Sequence, residues 1–279
     1  MRQRSLLIMN LLICCSLCNP AYASYMVTGS DADKTTFLGI LNTASVGGTW
    51  TLSETSQLVF GPNGMALNNF STELNLFNNA AGVVRTLDVK QNYPGVLVGG
   101  FGPKLGLAAG TQALDLGDIQ MFKTTTAQEP LLDLQSSVLL HELREVFQDG
   151  GNASFSASHQ SAIREQNAEL AALGSRGVRQ PGPDIWVAMP NGNWEYRFPW
   201  LDFPTGIAGF EVIKGTGAFN ISNIAPGIDD PGPDVSYDGS GHDIAITSVI
   251  FEVVPGPSTW LLLGSGFVGL ALARRKITA

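Results

Sequence analysis

Leu131 to Gln148 reads LLDLQSSVLLHELREVFQ, and this stretch decides the fold class. Leu134, Val138, Leu139, Leu143, Val146 and Phe147 recur at steps of three and four, the period of one helix face. Asp149-Gly150-Gly151 then stops the pattern. A second helix is predicted from Ser158 to Leu173, a run full of Ala, Glu, Gln and Leu that ends at Gly174. On both sides the chain changes character. Before it, short apolar runs (Thr49–Leu52, Gln57–Phe60, Leu74–Phe77, Val83–Val89, Val96–Val98, Ile119–Phe122) alternate with turn clusters such as Gly61-Pro62-Asn63-Gly64. After it, Trp186–Met189, Trp194–Phe198, Gly209–Ile213 and Ala245–Val253 read as strands. The expected fold is therefore α+β, with strand-rich segments 24–122 and 185–253 flanking a helical segment 131–174 that holds two helices.

The first helix carries His141-Glu142-Leu143-Arg144-Glu145. His141 and Glu145 are four apart and share a face, opposite the apolar stripe. An imidazole and a carboxylate one turn apart are acceptable ligands for zinc. On the second helix His159, Ile163, Gln166 and Leu170 share the apolar face, so His159 is expected to point inward at the first helix. The pentapeptide resembles the His-Glu-x-x-His motif of zincin metallopeptidases, with Glu145 in place of the second histidine. The run Ala162-Ile163-Arg164-Glu165-Gln166-Asn167 is similar to the second helix of small bacterial zincin-type effectors. That resemblance implies a zinc-dependent hydrolase with His141, Glu145 and His159 as metal ligands and Glu142 as the general base. The competing reading is a solvated helix face for His141 and Glu145, with Glu142 and Glu145 near Arg144, and a core histidine at 159.

Two other features have ligand chemistry. Gly227 to Asp243 holds Asp229, Asp230, Asp234, Asp238 and Asp243, hard oxygen donors in a Gly-rich loop that suit calcium, though the spacing fits no EF-hand. A solvated acidic loop is the simpler reading. Trp194, Tyr196, Phe198 and Trp200 alternate, so a strand would align them for stacking on sugar rings, as in a carbohydrate-binding module. The simpler reading is a sheet core, with Pro199 marking a strand edge or end. No phosphate-cradling loop, dinucleotide fingerprint or serine nucleophile elbow is present.

The two ends of the chain differ from its middle. Arg2 and Arg4 precede an apolar run, Leu6 to Leu17, and Ala21-Tyr22-Ala23 offers a cleavage site, so residues 1–23 are expected to be a secretory signal peptide removed by signal peptidase. The only cysteines, Cys14, Cys15 and Cys18, leave with it, and the mature chain has no disulfide or thiolate site. Residues 24–253, the expected ectodomain, hold 11 of the 16 Lys and Arg and all 24 Asp and Glu, a net charge of −13. Such a surface repels nucleic acid and anionic lipid.

The last stretch reads VPGPSTWLLLGSGFVGLALARRKITA. A hinge (Val254, Pro255, Gly256, Pro257, Ser258, Thr259) leads into an uncharged run, Trp260 to Ala273, closed by Arg274, Arg275 and Lys276. Fourteen residues span about 21 Å as a helix, so a membrane crossing over 258–273 would be thin and would need its cations to snorkel. This tail resembles the PEP-CTERM sorting signal of Gram-negative bacteria, except that Gly256 stands where that family has Glu. The resemblance covers about 25 residues. It implies a C-terminal transmembrane helix, recognition by an exosortase-type membrane peptidase, and delivery to the cell surface or extracellular matrix. There, extracellular polysaccharide would be a candidate partner. On this reading the protein is an exported surface or matrix protein, with a zinc metallopeptidase-like enzyme and a carbohydrate-binding module as the alternatives for its ectodomain.

Overall fold

The computed structural model describes residues 24–80, 82, 84–101, 105–128, 130–149, 155–180, 185–189, 192–217 and 245–254. Strand β1 (Ser24–Thr28) leads into helix α1 (Asp31–Ala44), the hairpin β2 (Gly48–Leu52) and β3 (Leu58–Pro62), and helix α2 (Asn69–Asn78). Strands β4 (Val84–Lys90), β5 (Gly99–Phe101) and β6 (Thr111–Asp115) follow, then the short helix α3 (Leu116–Ile119). The first sheet has the order β1-β4-β6-β5, with β1, β4 and β6 parallel and β5 an antiparallel edge. Two long helices come next, α4 (Gln135–Asp149) and α5 (Phe155–Ala172). The last described elements form an antiparallel sheet of β7 (Gly177–Arg179), β8 (Ile185–Ala188), β9 (Asn193–Asp202), β10 (Ile207–Thr216) and β11 (Ala245–Val253).

The fold class is therefore mixed α/β, which corrects the two-helix α+β expectation. Five helices are present among the described residues. The two unforeseen long ones lie in the segment read as strands and loops. Ser30 caps α1 by accepting from the Asp33 amide at 3.2 Å, Asp31 and Asp33 suit its N-terminal dipole, and Phe37, Ile40 and Leu41 are buried along one face. Leu74–Phe77, read as a strand, belongs to α2; Asn68 caps that helix at the Ser71 amide, and Phe70, Leu74 and Phe77 form its buried face. The Gly/Asn/Thr-rich composition hid both helices: their buried stripes are short, and Leu76 of α2 falls outside its stripe, 62% exposed. Ile119 closes α3 rather than opening a strand.

The expected transmembrane helix is also corrected: no helix among the described residues is long and apolar enough to cross a membrane. The run at 260–273 falls short of a ~30 Å hydrocarbon core on length alone. Residues 1–23, 255–279 and the acidic loop 227–243 lie outside the described residues, so the leader, the tail and the calcium reading do too.

One apolar cluster spans both sheets, from Tyr25, Val27 and Leu87 of the first to Tyr196, Phe198, Ile213 and Ile246 of the second, and α4 contributes Leu139, Leu143 and Val146 to it. The Tyr25 hydroxyl donates to the Leu143 carbonyl at 2.7 Å, tying α4 to β1. Arg85 of β4 donates to the Val146 carbonyl at 2.8 Å and the Phe147 carbonyl at 3.3 Å, near the C-terminal end of α4 where a cation is favoured. Asp118 joins the sheets. Its carboxylate accepts from the Ile246 amide of β11 at 3.0 Å and from the Val98 amide, just before β5, at 3.3 Å. Val98 has φ 62°, a left-handed conformation that a β-branched residue holds only under constraint, and the Asp118 contact is part of that constraint.

The aromatic stripe of β9 belongs to this core. Trp194 and Trp200 are 2% and 1% exposed, and Tyr196 and Phe198 are buried with them, so none of the four offers a face to a sugar. Pro199, expected at a strand edge or end, sits inside β9. It lies opposite Phe210 of β10, between the stretch paired with β8 (Trp194–Arg197) and the stretch paired with β7 (Trp200–Asp202), and its carbonyl accepts from the Gln180 amide just past β7 at 2.9 Å.

Candidate metal centre

Helix α4 is amphipathic, yet the face that carries His141 and Glu145 does not meet water. Its apolar side packs under the first sheet, and α5 covers the other side. His141 and Glu145, one turn apart, are therefore buried, and His159 of α5 is buried opposite them. The solvated-face reading fails on this burial. One ligand atom from each of the three residues lies within 4.8 Å of the other two. Glu145 Oε1 sits between the rings, 3.2 Å from His141 Nε2 and 2.6 Å from His159 Nδ1. The imidazoles meet edge to face with centroids 4.9 Å apart.

The far side of each ring is also held. His141 Nδ1 lies 2.8 Å from Gln166 Oε1. Gln166 Nε2 donates to Asp133 Oδ2 at 2.5 Å, and Arg179 Nη1 reaches Gln166 Oε1 at 3.4 Å, so the amide's orientation is fixed by an acceptor on one side and a donor on the other. Arg179 Nη2 stands 3.4 Å from His159 Nε2, and its guanidinium lies 4.1 Å over the Phe198 ring. Asp133 also accepts from Ser137 Oγ at 3.0 Å, and its own amide donates to Glu211 Oε2 of β10 at 2.8 Å. Thus β7, β9 and β10 close the outer side of the cluster.

These partners fix the protons. Arg179 is a donor, so His159 Nε2 accepts and its Nδ1 carries the hydrogen given to Glu145. Gln166 Oε1 takes the hydrogen of His141 Nδ1. A neutral His141 would then aim a bare lone pair at the Glu145 carboxylate, so a cation must stand between them: a second proton on His141, or a metal ion. The titration directions agree. Burial pushes the His141 pKa down, but the charge and hydrogen bond of Glu145 outweigh it and the net direction is up. For His159 burial prevails, and its pKa is lowered. Burial would raise Glu145, but His141 and the hydrogen bonds from both rings bring it well below the usual carboxylate range. Asp133 and Glu211 are both raised, by burial first; their mutual repulsion adds to the rise of Glu211.

The donor set fits zinc. Two imidazole nitrogens and one carboxylate oxygen are zinc ligands, and three protein ligands leave a fourth position for water or substrate. At ~2.0–2.2 Å per bond, tetrahedral ligand atoms lie about 3.4 Å apart, within small side-chain rotations of the observed spacing. Coordination through His159 Nδ1 would place its proton on Nε2, facing Arg179; the guanidinium would then turn from that nitrogen, with Gln166 Oε1 as an acceptor beside it.

Glu142 lies on the next face of α4, toward β5 and β6, and is only partly buried. Gln112 Nε2 of β6 donates to its Oε2 at 2.7 Å, and a Cβ on Gly99 of edge strand β5 would overlap that oxygen. Burial, then the neighbouring charge of Glu145, raises its pKa to about 8. The expected contact with Arg144 is replaced by this one; Arg144 lies against the rings of Phe77 and Phe147 instead. The sequence reading did not single out Asp133, Gln112, Arg179 or Glu211. Asp133 and Arg179 lie outside the helix motif, and nothing in the local pattern of β6 or β10 marks a buried polar residue as a partner. No match to the chain was found among protein-family models, curated proteins or solved structures.

Proposed function

We propose that the protein is an exported metal-dependent hydrolase, with zinc held by His141, Glu145 and His159 and Glu142 as general base. The observation that supports this most is the convergence of the three donors from two helices in a buried site. There the shared face of His141 and Glu145 demands a cation, and a further carboxylate lies one residue along. A zinc ion bound there would lower the pKa of a coordinated water and polarise a substrate carbonyl. Glu142 accepts the water proton as the new C–O bond forms, and returns it to the leaving amine or alcohol as the scissile bond breaks. A cation in the cluster offsets the Glu145 charge that contributes to the high pKa of Glu142, favouring its ionised form. Gln112 and Gly99 hold its carboxylate in place, the first by a hydrogen bond and the second by leaving room.

Export and sorting rest on the sequence of the two ends. The leader pattern of residues 1–23 and the match of Val254–Thr259 and Arg274–Lys276 to a PEP-CTERM signal support passage through signal peptidase and an exosortase-type peptidase to the cell surface or matrix. Deleting Pro255–Ala279 should release the protein to the medium; retention of the truncated chain at the surface would contradict the sorting role. For the chemistry, purified protein is assayed on unstructured peptides and on esters with and without added zinc. Zinc-dependent turnover that Glu142→Gln abolishes while metal stays bound is the expected result. Turnover indifferent to Glu142→Gln would refute the assigned base.

A further inference from the structure

Among the residues around the cluster, Gln166 has a placement that packing alone does not explain. It is buried on α5, seven residues beyond His159 and so on the same helix face. A glutamine there gives up solvent at both ends of its amide, a cost that only complete hydrogen bonding offsets. Both ends are engaged: Nε2 donates to Asp133 Oδ2 at 2.5 Å, and Oε1 receives His141 Nδ1 at 2.8 Å. Asp133 cannot serve a flipped amide in the same way when ionised, because a carboxylate only accepts. The Arg179 donor at 3.4 Å from Oε1 opposes the flip from the other side.

We propose that Gln166 is the positioning residue that selects Nε2 as the metal-facing atom of His141, with Asp133 and Arg179 locking its amide. This rests on the metal centre described above. With the Nδ1 hydrogen committed to Gln166, the lone pair of His141 lies on Nε2, beside Glu145 and on the His159 side of the ring. An acceptor at Nδ1 also makes the ring a better ligand, the usual effect of a hydrogen-bonded outer partner. Apolar side chains at this position would leave the ring free to turn and to exchange tautomers.

The test compares wild type, Gln166→Leu and Gln166→Glu as purified full-length proteins. Zinc and cobalt affinity is read by competition with a chromogenic chelator, and thermal midpoints of the metal-free proteins report folding. Leucine removes the acceptor, and affinity should fall 10- to 100-fold at unchanged stoichiometry, the scale typical of lost outer partners. Glutamate restores an acceptor at Nδ1 and shares one proton with Asp133, as two carboxylates in contact do, so its affinity should stay within about threefold of wild type. In the zinc-loaded wild type, nitrogen-15 histidine spectra should show His141 protonated at Nδ1. Equal affinity for wild type and Gln166→Leu overturns the inference while leaving the metal centre intact. Equal weakening in both variants makes Gln166 a packing residue and also overturns it. Absence of metal binding by the wild type itself is a separate result: it ends the metal-centre reading, and this one with it.

Discussion

Replacing Asp118 with Asn should change how the stability of this protein depends on pH, and by an amount the structure sets. Asp118 is 4% exposed; among the described residues it has no cationic partner and accepts from the Ile246 and Val98 amides. Burial, with repulsion from Asp115, raises its pKa from 3.8 to about 7. The native state therefore keeps a proton that the unfolded chain releases between those values. The stabilising contribution of the protonated acid is full below the unfolded value and is lost as pH rises through about 7. At ~1.4 kcal/mol per unit, a shift of about three units amounts to roughly 4 kcal/mol. Asn does not titrate, so the stability difference between Asp118→Asn and wild type should move by that amount in favour of the variant from pH 4 to pH 8. Asn also turns one amine toward a backbone donor, which subtracts a pH-independent ~1–3 kcal/mol. Urea unfolding of both proteins at half-unit steps measures the difference. A difference that stays flat across this range would refute the claim that Asp118 joins the two sheets as a buried acid.

Gly99→Ala places a methyl group where Glu142 Oε2 lies and should cut hydrolytic turnover at least ~100-fold through the displaced base, with zinc affinity within a factor of about three; calorimetric zinc titration beside the activity assay separates the two. Tyr25→Phe leaves the buried Leu143 carbonyl without its 2.7 Å donor and should cost about 1 kcal/mol in chemical denaturation. Zinc binding should release one proton, from His141 Nε2, while the His159 proton passes from Nδ1 to Nε2 without leaving the ring, so calorimetry in buffers of different ionisation enthalpy should show uptake by the buffer, and affinity should weaken as pH falls below the raised His141 value. A binding heat independent of buffer would refute this proton assignment.

The central helix pair was legible because its apolar residues keep a strict helical period, and the same period put His141 and Glu145 on one face and His159 on the inward face of its own helix. The helix α1 was not legible. Its inward positions are few, and Thr35, Thr36, Gly39, Asn42 and Thr43 on the remaining sides give the composition of a loop. Helix α2 does carry a start signal, Asn68 before the apolar positions Phe70, Leu74 and Phe77 at i, i+4, i+7, but the short apolar run Leu74–Phe77 also reads as a strand. The outer partners of the candidate site were illegible for a different reason. Asp133, Arg179 and Glu211 come from three separate elements, and only the packing of β7 and β10 against the helices turns them toward one another. The burial of Glu145 likewise depended on where α5 crosses α4, a tertiary fact that helix periodicity does not contain.

The metal content of the purified protein tests the account most directly. Elemental analysis after gel filtration should find one zinc-class ion per chain, lost in Glu145→Ala and in His159→Ala, and zinc added to metal-free wild type should raise its thermal midpoint. A wild-type protein that carries no ion, takes up none from micromolar zinc and melts at the same temperature with or without chelator would contradict it. In that case the cation between His141 and Glu145 would be a proton.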